Sequence, residues 1–263
     1  MISMQTKLFK PQKVTYLLPH EHGVWAMMLV PFLLGTAIGQ ARWQHLLMGG
    51  ALVVGYFAVH GALTVLRRPQ KGREALPTVT TFGILGLLLG GPLFAMNPAA
   101  FLPLVWMIPF LAMSVWFVVK KRERDFWNDV CAIVAFTMLL PLAAKLGDAA
   151  AAGAGTGVEE LALGMLLNVL YFIGSVFFVK SVFRERNNIR FTYIGIAYHA
   201  ALLLLPLLLP VPLPVLLLYL PGILKMLYLL RKPRLRAMQV GMLEIASAVW
   251  FLGIAVWLFH GGM

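Results

Sequence analysis

Cysteine is almost absent. Cys131 is the single thiol in 263 residues, which excludes an internal disulfide framework. It lies in an apolar run and reads as a small packing residue. Charge is scarce as well. Asp, Glu, Lys and Arg make up 12% of the chain, about half the usual ~25%, so no soluble domain of any size can be set aside. The acids are the scarcer sign, 10 against 22 Lys and Arg, which leaves a net charge of +12. The chain has no Gly-Lys-Ser/Thr phosphate loop and no zinc-finger spacing, and no nucleic-acid partner is expected. In a chain this apolar the cations read instead as orientation signals facing anionic lipid.

What is plentiful is apolar side chain: 60% of residues, with a mean hydropathy of +0.84. A spanning helix needs about 20 mostly apolar residues. Residues 1–23 form a polar, basic arm carrying Lys7, Lys10 and Lys13. Such an arm before an apolar run can also be a signal peptide. Against that, Pro31 interrupts the run, no small-residue cleavage site follows and further apolar runs come after it.

Nine candidate spans then follow, at about 24–40, 44–66, 78–96, 99–119, 127–145, 160–182, 191–209, 212–230 and 238–259. The first is short. Asn97-Pro98 and Pro210-Val211-Pro212-Leu213-Pro214 make joints so tight that their neighbours must be antiparallel hairpins. Gly147 to Gly157, rich in Ala and Gly, reads as a surface loop.

Loop charge supports the count. Twenty of the 22 Lys and Arg fall on the side of the N-terminal arm, and only Arg42 and Lys145 fall on the other. The expected fold is therefore all-α, a polytopic bundle of nine transmembrane helices with the N-terminus cytoplasmic and the C-terminus external. Residues 24–263 form one membrane domain behind the 1–23 arm. Gly35, Gly39, Gly55, Gly86, Gly90 and Gly174 suit close helix packing in lipid.

Ionisable groups at membrane depth are costly, so each is a functional candidate. His20, Glu21 and His22 sit where the arm meets the first apolar run. Imidazoles flanking a carboxylate suit a divalent metal such as zinc or iron, or general acid–base work. The same residues also serve as an interfacial cap. Asp125 and Asp129, four apart, share a helix face and offer a cation or proton site, or pair with nearby bases such as Arg122 and Arg124. His60 and His199 are catalytic candidates or satisfied interior histidines. Glu244 has no basic residue close by on its own span and needs a partner from another helix. Lys225 lies about one turn inside the eighth span. Lys180, Arg184, Arg186 and Arg190 meet lipid headgroups or an anionic ligand, and Arg184-Glu185-Arg186-Asn187-Asn188 is denser than orientation requires.

The opening Pro19-His20-Glu21-His22-Gly23-Val24-Trp25, the short proline-containing first span and the Arg-Glu-Arg-Asn-Asn after the sixth resemble the YwiC-like family of bacterial membrane proteins. The resemblance runs through most of the chain. It implies the bacterial cytoplasmic membrane but brings no established chemistry.

The nine helices and their orientation are also distantly similar to the UbiA-type intramembrane prenyltransferases. In that family Asp-rich motifs after helices 2 and 6 bind magnesium and a prenyl diphosphate. Here the corresponding stretches read His60-x3-Thr64-x3-Arg68 and Lys180-x3-Arg184-x3-Asn188, with no Asp in either. Any enzyme of that kind would be a transferase without the usual motifs, and no magnesium–diphosphate site can be carried over. Arg67, Arg68, Lys180, Arg184, Arg186 and Asn188 could instead bind phosphate directly.

Three functions follow from these residues. The first is binding or modification of an anionic, isoprenoid-like lipid at a cytoplasm-facing site, and it is the favoured one. The second is a transporter, for which no inverted repeat is visible. The third handles metal or haem through His20, His22, His60 and His199.

Overall fold

The computed structural model describes residues 16–17, 19, 22–148, 156–231 and 235–262. The side chains of His22, Asp148 and Gly262 lie outside that description, as does most of the Gly147–Gly157 loop. The described residues are helical almost throughout, and none of them forms a strand.

Proline and glycine decide where the helices start and stop. Helix α1 (His22–Ile38) contains Pro31 and ends as Gln40 turns into the left-handed region at φ 65°. Helix α2 (Trp43–Arg67) stops at Arg68, because the residue before a proline is pushed out of helical conformation, and Pro69–Lys71 forms a 3₁₀ turn. Helix α3 (Gly72–Met96) stops in the same way at Asn97, before the 3₁₀ turn Pro98–Phe101. Helix α4 (Leu102–Val119) ends at Lys121, which has φ 56°. Asp125 then caps α5 (Phe126–Thr137), accepting the Trp127 N–H at 3.1 Å.

The fifth apolar run is broken in its middle. Helix α5 stops at Thr137 and α6 (Leu139–Asp148) begins after Met138. Pro141 supplies the cause: it has no N–H to give the Thr137 carbonyl, and its ring crowds that carbonyl. The break is tied down by side chains. Asn168 Nδ2 donates to Thr137 Oγ1 at 2.8 Å, and the Thr137 hydroxyl donates to the Ile133 carbonyl at 2.8 Å.

Helix α7 (Val158–Val182) follows, then α8 (Ile189–Leu202), capped by Asn188, and a single turn, α9 (Leu205–Leu208). The prolines from 206 to 214 prevent a long helix here. The chain resumes as a 3₁₀ turn (Leu213–Leu218) and the short α10 (Leu220–Leu229). Helix α11 (Ala237–Trp257) closes the bundle.

Among the described residues, six helical stretches are long and apolar enough to cross a membrane: Trp43–Arg67, Pro69–Met96, Pro98–Val119, Phe126–Gly147, Val158–Val182 and Ala237–Gly261. At 1.5 Å per residue each exceeds the roughly 30 Å hydrocarbon layer. The first, seventh and eighth apolar runs are helical too, but shorter or interrupted. Nine full-length spans are therefore not what the structure presents.

Helix α7 runs through the core, and Leu167, Phe172 and Phe178 on it are buried. Helix α1 packs closely on α6. A Cβ on Gly35 would stand 2.1 Å from the Leu140 carbonyl oxygen, and one on Gly39 2.2 Å from that of Ala144. His45 fastens the start of α2 to α6: Nδ1 accepts the Arg42 N–H at 3.0 Å, which leaves Nε2–H to donate to the Ala143 carbonyl at 2.9 Å. Leu87 and Trp106, by contrast, point outward at 75% and 70% exposure. Apolar surface of that kind on α3 and α4 suits lipid.

Candidate functional site

Three groups of polar side chains gather near one end of the bundle, where α2, α4, α7 and α10 finish and α3, α5, α8 and α11 begin. The first is a cleft of about 340 Å³ lined by Tyr16, Leu17, His60, Thr64, Arg67, Arg68 and Lys71. His60 and Thr64 are spaced i, i+4 on one face of α2, and Arg68 follows at the end of that helix. The chain ahead of α1 closes the other side: the Leu17 N–H donates to Thr78 Oγ1 at 2.9 Å, and Tyr16 packs edge-on against Phe82 at 5.4 Å. Arg67 Nε lies 2.8 Å from Glu123 Oε2, which ties the cleft to the α4–α5 connection. Lys71 Nζ lies 3.8 Å from Glu74 Oε2, so Arg67 and Lys71 each have a carboxylate close by, and with Arg68 they give the cleft a cationic rim that suits an anion.

The second group sits where α5 begins and α7 ends. The buried Lys180 reaches Asp129 Oδ2 at 2.8 Å and the Arg124 carbonyl at 2.7 Å, and Arg184 donates to the same carbonyl at 3.2 Å. Asp125 pairs with Arg122 and caps α5. The Trp127 N–H holds the Asp125 carboxyl below its usual value against the opposing effect of burial, and the Arg122 guanidinium adds to the lowering. Asn128 Nδ2 donates to the Glu123 carbonyl at 2.7 Å. Arg186 is exposed, and Asn188 accepts the Phe191 N–H at 3.2 Å while donating to Glu185 at 2.8 Å. Lys180 and Arg184 therefore meet at the Arg124 carbonyl while Asn188 turns away to cap α8, although the spacing of the three equals that of the cleft residues at the end of α2.

The third group lies deeper. Glu244 of α11 accepts from Lys225 of α10 and from the Ser175 hydroxyl of α7. The partner that Glu244 needs from another helix is thus Lys225, itself only 7% exposed. The Lys225 ammonium also stands 4.9 Å from the centre of the Phe178 ring. His199 is buried nearby, donating from Nδ1 to the Gly195 carbonyl at 2.7 Å. Its Nε2 is packed against Gly174 and Gly222, where an added Cβ would come within 2.8 and 2.7 Å.

His20 and Glu21 lie outside the described residues, as does the side chain of His22. Among the described residues, no three His, Cys, Asp or Glu side chains converge as a metal would require. Sequence reasoning missed Ser175, Tyr16 and Leu17. It placed Lys225 in the membrane without joining it to Glu244. Thr64 and Lys71 were visible as parts of the α2 face and the loop charge, and that face was the signal available.

The long apolar helices, outward apolar faces and inward ion pairs together define a multi-pass helical membrane protein. The model of the YwiC-like protein family matches residues 18–144. The chain is 34% identical over 200 residues to the uncharacterised protein YwiC of Bacillus subtilis, covering 73% of this chain and 76% of that one. It is 28% identical over 247 residues to an uncharacterised protein of Haemophilus influenzae, covering 91% of this chain and 98% of the other. The chain belongs to the YwiC-like family. No solved structure matches it significantly. The similarity to UbiA-type prenyltransferases gains nothing from these matches.

Proposed function

We propose that the protein holds an anionic, isoprenoid-like lipid by its headgroup in the basic cleft at the end of α2. In this reading that end faces the cytoplasm, in the bacterial cytoplasmic membrane. The observation that supports the reading is the cleft itself. Its volume, about 340 Å³, lies at the small end of the roughly 300–1,000 Å³ that ligand sites occupy. Arg68 offers a planar fork to phosphate or carboxylate oxygens, and Arg67, beside Glu123, and Lys71, 3.8 Å from Glu74, add positive charge around it, so no bridging metal is needed. Val59, Leu66 and Leu76 are exposed on α2 and α3, so the helices that carry the cleft also offer apolar surface to a tail. His60 and Thr64 line the same cleft, with the Thr64 hydroxyl donating to the His60 carbonyl at 2.9 Å.

The nine-span topology belongs to the same proposal. All nine apolar runs carry helix, and the 20-to-2 division of Lys and Arg supports a cytoplasmic N-terminus and an external C-terminus. The direct test is binding to purified, delipidated protein. A polyprenyl phosphate should bind, and the uncharged polyprenol should bind much more weakly. Arg68→Gln with Lys71→Gln should weaken phosphate binding by about tenfold or more. Equal binding of both lipids, or no effect of the double variant, would remove the cleft from the function.

A further inference from the structure

The basic cleft leaves the deeper Glu244 group unused. Glu244 lies seven residues into α11, and Ser175 lies seven residues before the end of α7. At 1.5 Å per residue both sit roughly 10 Å inside the apolar layer. A carboxylate and an ammonium at that depth lose far more hydration than a surface pair, and well-packed apolar residues would serve stability as well or better. Packing therefore does not account for them.

Further polar side chains surround the pair. Tyr171 lies one turn from Ser175 on the same face of α7 and stacks on Phe251 of α11 at 4.3 Å. It is 6% exposed, and its hydroxyl has no hydrogen-bond partner among the described residues. Glu244 is close enough for its charge to act on that hydroxyl. His199 of α8 lies within the electrostatic reach of Lys225. Four helices thus contribute Tyr171, Ser175, His199, Lys225 and Glu244.

The other titratable groups around this site are committed. Lys180 of α7 is held by Asp129. Tyr198 donates to the Leu170 carbonyl at 2.8 Å, and Tyr219 to that of Leu167 at 3.3 Å. Helix α1 also packs on α11 and brings no charged side chain among its described residues. His260 stands at the far end of α11.

We propose that Glu244, paired with Lys225 and Ser175, is an intramembrane proton-binding site separate from the lipid cleft. One proton adds to a Glu244 carboxylate oxygen and makes the neutral acid. Lys225 keeps its own proton and loses its counter-charge, and its ammonium remains over the Phe178 ring. Release of the proton restores the ion pair. The pair joins α10 to α11, and α10 is short and preceded by a proline-broken segment. Protonation therefore loosens the tie between α10 and α11, which is how a proton would be coupled to work in this fold.

The test uses the full-length protein in membranes and a hydrophobic carbodiimide, which modifies protonated carboxyls in apolar surroundings. Modification of Glu244 is read by peptide mass spectrometry over roughly pH 5 to 9, a window wide enough for a buried carboxyl. Wild type should be modified increasingly as pH falls, and Glu244→Gln should leave that peptide unmodified. Ser175→Ala removes a donor to the carboxylate, so its midpoint should move to higher pH by about half a unit or more. Lys225→Gln should move it further. Ser175→Ala carries the test alone if that variant does not fold. Glu244 that stays unmodified down to about pH 5 would overturn the proposal, and so would a midpoint that Ser175→Ala leaves in place.

Discussion

Replacing Gly35 by alanine puts a methyl group where α1 meets α6. The new Cβ would stand 2.1 Å from the Leu140 carbonyl oxygen and 2.9 Å from the Leu140 Cα. Ordinary contact begins near 3.5 Å, so the two helices must part by roughly 1 Å. The obstacle is backbone, which cannot swing aside as a side chain does. Overpacking of this kind costs about 1–3 kcal/mol, and a backbone clash belongs at the upper end. Alanine returns up to about 1 kcal/mol in helix propensity. The net loss is then about 2 kcal/mol, or a melting temperature roughly 4–8 °C lower.

The fold contains its own control. A Cβ on Gly83 of α3 would meet nothing within 4 Å, so Gly83→Ala should be neutral or slightly stabilising. Thermal unfolding of both variants in detergent checks the pair. Equal melting temperatures for Gly35→Ala and Gly83→Ala would refute the close α1–α6 contact.

Lys180→Met should cost about 3–5 kcal/mol, because Asp129 is left charged and unpaired. Adding Asp129→Asn should recover most of the loss, which a double-mutant cycle on unfolding would show. Asp125→Ala should destabilise by about 1 kcal/mol through loss of the α5 cap. The Asp125 carboxyl sits below its usual value in the folded protein. Its stabilisation is therefore present above the unfolded value and is lost as pH falls through the folded one. The difference in melting temperature between wild type and Asp125→Ala should accordingly shrink in acid. A reporter fused to the C-terminus should read an external position, and a cytoplasmic signal would overturn the nine-span proposal.

The helices were legible because apolar run length and proline position are local properties. Asn97-Pro98 and the prolines from 206 to 214 break the chain for reasons contained in a few neighbouring residues. Pro141 carried the same signal within a run read as one span, and it marks the α5–α6 break. Asp125 pairs with Arg122, three residues away, as charge spacing suggested. Asp129 instead finds Lys180 across the bundle, a pairing that spacing along one helix cannot supply. Glu244 showed its need for a distant partner, but Lys225 becomes that partner only once α10 and α11 pack. The His60-Thr64-Arg68 and Lys180-Arg184-Asn188 series share one spacing. The first runs to the residue just past the end of α2, whereas the second crosses a loop, because α7 ends at Val182 and Asn188 caps the next helix.

The central claim is that an anionic lipid is held at the α2 cleft. Native mass spectrometry of the protein released gently from its own membranes tests it most directly. A bound phosphorylated or otherwise anionic isoprenoid-like lipid, retained by wild type and lost from Arg68→Gln with Lys71→Gln, is the predicted result. A protein that carries no such lipid, or a lipid that stays bound in the double variant, would contradict it.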